Sequence, residues 1–370
     1  MAKLTDEQFM REALALAQRA RGRTAPNPLV GAVVVARGGQ VIGRGYHHGP
    51  GRAHAEILAL KQAGDAARGA TLFVTLEPCA HHGRTPACAP RVVQSGVRRV
   101  VAAMSDPNPK VAGRGFEILK KAGIQVVSGV LESEARDMNL PYLKHITTGL
   151  PYIIIKGAMT LDGKIAAPDG SSKWITSEQA RRDTHELRRD ADAILVGANT
   201  LLLDDPGLTC RLPGRPPQPL RVVLDGSLRT RPSLKFFKNA NDGKSLIFTR
   251  EDADQRKIKR LRDAGCSVVQ VPADAQGRLK IKAVIRELGR RDVMCLLVEG
   301  GGAVHDAFFR ARAADKVVFY VAPKVLGGAH SRSIVSGAGF GSVDKCLGLK
   351  FESVTQLGPD LKIQAVPVRP

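Results

Sequence analysis

One stretch of this chain dictates local geometry more tightly than any other. Residues 75–88 read TLEPCAHHGRTPAC and follow the apolar run Thr71-Leu72-Phe73-Val74. That run has the composition of a buried strand. Proline and glycine then break the chain, and Cys79 and Cys88 lie nine positions apart. Upstream stands His54-Ala55-Glu56. One imidazole and two thiols with an open fourth position are the donor set of a catalytic zinc ion. A carboxylate two residues after the histidine can sit beside the metal without ligating it, where it can move the proton of a bound water. His54 and Cys88 both fall at expected helix starts, where the positive end of the helix dipole favours a thiolate. A closed structural site would want four ligands and would leave Glu56 without a task.

Zinc deaminases carry this arrangement as H-x-E followed by P-C-x-x-C. Here the pairs are His54/Glu56 and Pro78/Cys79, but the second cysteine comes late, as C-x8-C filled by His81-His82-Gly83-Arg84-Thr85-Pro86. This variant resembles the deaminase half of the fused pyrimidine deaminase–reductases of bacterial riboflavin biosynthesis. The resemblance also includes Asn27-Pro28-Leu29-Val30-Gly31, Asp106-Pro107-Asn108-Pro109 and Val111-Ala112-Gly113-Arg114-Gly115. In the second half it includes AMTLDGKI (158–165), SKWIT (172–176), Asp204-Asp205-Pro206 and Ala322-Pro323-Lys324. It covers nearly the whole chain.

A length of 370 residues, 43% of them hydrophobic, suffices for two cores. Alternating strand and helix patterns in both halves place each in the α/β class. The first half is expected to be a three-layer αβα domain. Thr5-Asp6-Glu7-Gln8 opens a helix as a capping box, 30–36 and 40–45 form a hairpin, and 53–62, 88 onward and 115–122 are helices. Strands are expected at 71–76, 99–104 and 125–130. From Glu132 to Leu150 the apolar periodicity weakens, so this segment reads as a connector containing one short helix before Pro141. The domain boundary is placed at 146/147. In the second half, 152–156, 193–196, 220–224, 245–248, 267–271, 295–298 and 317–321 are expected strands. Helices are expected at 177–190, 252–264 and 303–311. The resemblance implies a cytidine-deaminase-like fold for 1–146 and a dihydrofolate-reductase-like fold for 147–370.

Glu299-Gly300-Gly301-Gly302 lies between a strand and a helix, a place where backbone N–H groups can cradle a phosphate. It is not the spaced G-x-G-x-x-G fingerprint, so a Rossmann domain is not supported.

The resemblance also implies roles for individual residues. Asn27 falls at a pyrimidine contact, and His47, His81 and Arg84 at contacts to the deaminase substrate's ring or ribose phosphate. Ala158, Trp174, Thr200, Asp204, Gly226, Gly301 and Gly302 fall at NADPH contacts. Gly226 stands where the family usually has serine or threonine, so this chain lacks a hydroxyl there. Ser172, Arg188, Leu208, Arg211 and Glu299 fall at contacts to the reductase substrate, and two arginines suit a phosphate ester. No residue stands out as proton donor for the sugar. The implied activity is zinc-dependent deamination of 2,5-diamino-6-ribosylamino-4(3H)-pyrimidinone 5′-phosphate. NADPH reduction to 5-amino-6-ribitylamino-2,4-pyrimidinedione 5′-phosphate follows, and the family suggests a homo-oligomer, dimer or tetramer.

The zinc motif alone would also suit a nucleic-acid or free-base deaminase with an unrelated second half, and the net charge of +21 raises a zinc-stabilised nucleic-acid-binding protein as a non-enzymatic alternative. The excess is shared by both halves without a long basic run. Aromatic residues are only 4%, which leaves little to stack unpaired bases on. Small anionic substrates suit such a charge better than nucleic acid does. No apolar run is long enough to span a membrane, the first residues lack the apolar centre of a signal peptide, and six scattered cysteines suit a reducing cytoplasm.

Overall fold

The computed structural model describes residues 5–83 and 85–368, which fall into two compact units divided between Gly149 and Leu150.

The first unit opens with α1 (Asp6–Gln18), followed by β1 (Gly31–Val35), β2 (Val41–Tyr46), α2 (Ala55–Ala63), β3 (Thr71–Val74) and α3 (Cys88–Gln94). It continues with β4 (Arg99–Ala102), α4 (Arg114–Lys121), β5 (Gln125–Ser128), α5 (Glu132–Met138) and α6 (Leu140–Thr148). The capping box is present: the Gln8 backbone N–H donates to Thr5 Oγ1, and the Thr5 N–H to Gln8 Oε1 at 2.8 Å. The sheet order is β2-β1-β3-β4-β5, with β1 antiparallel to β2 and β3 and the later pairs parallel. Alternation along the strands sends Val34, Leu72 and Val100 towards α2, α3 and α4. The opposite face meets α1, where Phe9 packs on Phe73 at 5.1 Å between ring centroids. The result is the expected αβα sandwich. Its sheet reads as buried β-branched runs because both faces are covered.

Two glycines on β2 decide where α2 lies. A Cβ on Gly43 would sit 2.1 Å from the Ala59 carbonyl oxygen, and one on Gly45 would sit 2.2 Å from that of Ala55. The helix backbone therefore rests directly on the strand, which fixes the depth of His54 and Glu56 at its start.

The segment 132–148 is not a connector. It is two helices packed into the first unit, with Ala135, Tyr142 and Leu143 buried. Pro141 lies in the first turn of α6, where its missing N–H costs no helical bond. A short apolar face and this proline hid the second helix from periodicity.

The second unit begins with β6 (Tyr152–Thr160), β7 (Lys164–Ala166), α7 (Glu178–Asp190), β8 (Ala193–Gly197), α8 (Ala198–Asp204) and β9 (Leu220–Leu224). Then come β10 (Ser245–Arg250), α9 (Gln255–Asp263), β11 (Ser267–Val271), α10 (Ile281–Arg290), β12 (Cys295–Gly300) and α11 (Gly302–Arg310). It ends with β13 (Lys316–Ala322), β14 (Arg332–Ser333), β15 (Leu349–Leu357) and β16 (Asp360–Pro367). Nine strands form one sheet in the order β11-β10-β9-β8-β12-β6-β13-β16-β15, parallel from β11 to β13 and antiparallel beyond. One face packs on α10 and α11, the other on α8 and α9. The terminal hairpin β15–β16, the short α8 and α10 were not expected from sequence. β15 is a solvent-exposed edge, and its pattern carries no buried alternation. Among the described residues, no helix is long and apolar enough to cross a membrane.

Candidate active sites

In the first unit, His54 is the N-cap of α2 rather than a residue of its first turn, and Glu56 lies within that turn. Cys79 follows β3, and Cys88 is the first residue of α3. One donor atom each of His54, Cys79 and Cys88 lies within 4.8 Å of the other two. His54 Nδ1 is 3.1 Å from Cys88 Sγ and 3.6 Å from Cys79 Sγ, and the Cys88 backbone N–H donates to Cys79 Sγ at 3.3 Å. Hydrogen bonds from Cys88 and His54 hold the Cys79 thiol down to about 4, against the pull of burial. The same bond to Cys79, with burial, pushes Cys88 up, and the bond to Cys79 raises His54. The cluster is thus biased towards a thiolate, the form that ligates metal. Burial raises the Glu56 carboxyl, with His54 and Cys88 pulling the other way. A carboxyl group with a raised pKa holds its proton more readily than a free one, which suits a group that must receive and release one. These donors fit zinc: one nitrogen and two sulfurs converge beside a buried carboxyl group.

Thr85 was not foreseen. Its Oγ1 lies 3.2 Å from His54 Nε2, the ring nitrogen turned away from the sulfurs. A partner there orients a ligating imidazole. The signal was its place in the insert between the cysteines. Asn27 Nδ2 and His47 Nε2 are 2.9 Å apart, and the His47 ring meets that of His54 edge-on at 5.2 Å. Burial lowers the His47 pKa. His81 is half-buried, and its Nδ1 is buried without a hydrogen-bond partner among the described residues. Arg84 lies outside the described residues.

In the second unit, Arg188 of α7 meets Glu299 of β12 through two parallel bonds of 2.7 and 2.6 Å, with side chains 12% and 9% exposed. Arg188 also donates to the Thr209 carbonyl at 3.0 Å. Burial alone would raise the Glu299 carboxyl; Arg188 and Lys156 bring it down to about 2. Lys156 and His185 were missed. Lys156 is a charge within the apolar run of β6, and that interruption was the available signal. Its ammonium lies 5.5 Å from the Tyr320 ring centroid, and burial lowers its pKa. Burial and the charges of Arg188 and Arg211 depress His185 to about 4. His185 Nδ1 accepts the Arg211 backbone N–H at 3.2 Å. Arg188 pairs with the buried Glu299 carboxylate, and Lys156 and Arg211 are close enough to act on it electrostatically, so cations outnumber the carboxylate and suit an anionic ligand.

Thr200 Oγ1 accepts the Gly301 N–H at 2.8 Å, which joins α8 to the glycine turn. Ser172 donates to Asp204 at 3.1 Å. A Cβ on Gly302 would lie 2.4 Å from Ser336 Oγ, so the glycine is required by a close approach of the 333–336 segment. Trp174 is 63% exposed and carries the Arg181 guanidinium 4.5 Å above its ring. Ala158 lies on β6 and packs beside Tyr320, whereas Leu208 has its side chain buried in the core. Gly226 bonds to Thr249 and Arg250, not to another candidate. Arg229, three residues later, reaches Asn199 beside Thr200 at 2.7 Å.

The profile of the cytidine and deoxycytidylate deaminase zinc-binding region matches residues 3–104, and that of the RibD C-terminal domain matches residues 151–363. The riboflavin biosynthesis protein RibD of Bacillus amyloliquefaciens is 45% identical over 98% of this chain and 96% of its own. This chain belongs to the RibD family. RibD of Aquifex aeolicus is 42% identical over 98% of this chain and 99% of its own. The solved structure of Acinetobacter baumannii RibD superposes with a TM-score of 0.89 at 36% identity, covering 98% of this chain and 99% of that one. A Thermotoga maritima structure, described as a diaminohydroxyphosphoribosylaminopyrimidine deaminase/5-amino-6-(5-phosphoribosylamino)uracil reductase, gives 0.86 at 36% identity with the same coverage. RibD membership carries both halves of the α/β fold: a cytidine-deaminase-like first unit and a RibD reductase-type second unit.

Proposed function

We propose that this RibD-family chain is a bifunctional enzyme of riboflavin biosynthesis. It deaminates 2,5-diamino-6-ribosylamino-4(3H)-pyrimidinone 5′-phosphate and then reduces the ribosyl chain of the product with NADPH. The observation that carries the reading is the convergence of His54, Cys79 and Cys88 beside Glu56 in a chain related along its whole length to RibD proteins. We assign deamination to 1–146 and reduction to 147–370, a division supported by the two compact units.

His54, Cys79 and Cys88 would hold zinc, which supplies a bound water of lowered pKa. Glu56 takes the proton of the attacking water and returns a proton to the departing amine. Asn27 contacts the pyrimidine, with His47, His81 and Arg84 at the ring or ribose phosphate. In the second unit NADPH would supply a hydride, with Ala158, Trp174, Thr200, Asp204, Gly226, Gly301 and Gly302 at its contacts. The glycine turn supports this because it opens α11, where a helix end favours phosphate. Ser172, Arg188, Leu208, Arg211 and Glu299 hold the phosphorylated substrate, and its charge is matched by the surplus of cations around Glu299. Hydride delivery then rests on positioning. The exposed Phe351 on the edge strand β15, at 66%, supports a homo-oligomer, and the scattered unpaired thiols support a cytoplasmic setting.

The test is a coupled assay with and without NADPH that follows ammonia release and NADPH oxidation separately. Ammonia in both arms, with oxidation following it, is the expected result. Ammonia without oxidation would remove the reductase assignment, and neither signal from zinc-loaded protein would remove the substrate.

A further inference from the structure

Three sequence motifs of the first unit have no task in the chemistry above: the glutamate of Thr75-Leu76-Glu77-Pro78-Cys79, Asp106-Pro107-Asn108-Pro109, and Val111-Ala112-Gly113-Arg114-Gly115. The structure joins them at one side chain. Glu77 is 3% exposed. Its Oε2 accepts the backbone N–H groups of Asp106 at 3.2 Å and Gly113 at 3.1 Å. Its Oε1 accepts those of Gly115 at 2.9 Å and Phe116 at 3.3 Å. Among the described residues no cation forms an ion pair with it. Burying a carboxylate without a cation is costly unless hydrogen bonds replace its water, and here four N–H donors do so.

Gly115 and Phe116 are the second and third residues of α4. The N-cap of that helix, Gly113, offers no side-chain cap of its own. Glu77 therefore caps α4 from a distant point in the sequence, with the favourable sign of the helix dipole. A local serine or aspartate could have capped the helix. The cap instead comes from two residues before a metal-site cysteine. The contact is close on the backbone side as well: a Cβ on Gly115 would sit 2.0 Å from the Pro78 carbonyl oxygen. Cys79 is thus held between two supports. On one side Glu77 and Pro78 rest on the start of α4; on the other the Cys88 and Ala89 N–H groups both donate to the Cys79 carbonyl at 3.1 Å.

We propose that Glu77 is a positioning residue for the metal centre: its carboxylate, through the α4 cap and the Asp106 loop, fixes the Cys79 backbone so that Sγ meets His54 and Cys88. The inference rests on the reading of His54, Cys79 and Cys88 as zinc ligands. It does not involve Glu77 in proton transfer, since that carboxylate is fully occupied by backbone donors.

Glu77→Gln keeps the shape but replaces one oxygen by an NH2 group, which faces two N–H donors instead of accepting from them. Groups supporting metal ligands typically alter affinity by about 10–100-fold. Zinc titrated against a chromophoric chelator is expected to show a dissociation constant raised by about that factor in the full-length variant. Glu77→Asp, which keeps the charge with a shorter reach, is expected to fall between variant and parent. A dissociation constant within about twofold of the parent in folded Glu77→Gln would overturn the proposal. Parent protein that binds no zinc would instead overturn the metal-site reading. A measurement on the parent covers the case of a variant that does not fold. Coupling is reciprocal in sign, so zinc loading is expected to slow amide hydrogen exchange at Asp106, Gly113, Gly115 and Phe116, the four amides that Glu77 accepts. Exchange there unchanged by zinc would overturn the proposal equally.

Discussion

The ion pair of Arg188 and Glu299 lends itself to a quantitative test. Glu299→Gln leaves a guanidinium in a nearly dry site with its two shortest bonds weakened. The difference between an ordinary carboxyl value of 4.5 and about 2 in the folded chain corresponds to roughly 3 kcal/mol. This agrees with the ~3–5 kcal/mol lost on removing one partner of a buried pair. With a urea m-value of about 3 kcal/mol/M for a unit of this size, the unfolding midpoint is expected to fall by about 1 M. Trp174, the chain's single tryptophan, belongs to this unit and loses its stacked Arg181 on unfolding, so its fluorescence reports the relevant transition. The pH dependence has a definite sign. The Glu299 pKa is lower folded than unfolded, so its stabilisation is complete above about 4.5 and is lost as pH falls towards about 2. Parent and variant are expected to differ most at pH 7, and their gap to narrow by roughly 1–2 kcal/mol at pH 3.5. A midpoint shift below about 0.3 M at pH 7, or a gap that does not change with pH, would refute the reasoning.

Three further outcomes are expected. Glu56→Ala retains zinc by metal analysis but releases ammonia about 10²–10⁴-fold more slowly, and undiminished deamination would sink the role of Glu56. Gly302→Ala places a methyl 2.4 Å from Ser336 Oγ and 2.5 Å from the Ser333 carbonyl. It is expected to destabilise the second unit by about 1–3 kcal/mol and raise the KM for NADPH, with ammonia release unchanged. Asn139→Ala removes a side chain that accepts the Leu29 N–H at 2.8 Å and donates to the Leu29 carbonyl at 3.0 Å. Leaving those groups unpaired costs about 1–3 kcal/mol. The KM for deamination is expected to rise while zinc content stays at the parent level, since the loop affected carries Asn27 and no ligand.

The convergence of His54, Cys79 and Cys88 was readable because their spacing ties them to element ends: the strand ending at Val74 and the helices beginning at Ala55 and Cys88 each leave one donor at a fixed place. The alternating strands were readable for a related reason. A sheet covered on both faces needs continuous apolar runs, and those runs are visible locally. Lys156, His185, Thr85 and Asn139 were not readable as partners, because each acts on a residue far away in sequence or across a loop. The β15–β16 hairpin was missed because an exposed edge needs no apolar code.

Sequence alone determined the chemistry on offer, an imidazole, two thiols and a carboxylate at metal-binding spacing, together with the strand–helix order that makes each half α/β. Both follow from short-range constraints of residue type and period. Tertiary structure alone decided that Glu77 caps a helix 37 residues away, that Asn139 holds Leu29, and that Arg188 is paired with Glu299. Those contacts exist because buried polar groups must find partners, and which partner is within reach depends on how the layers pack.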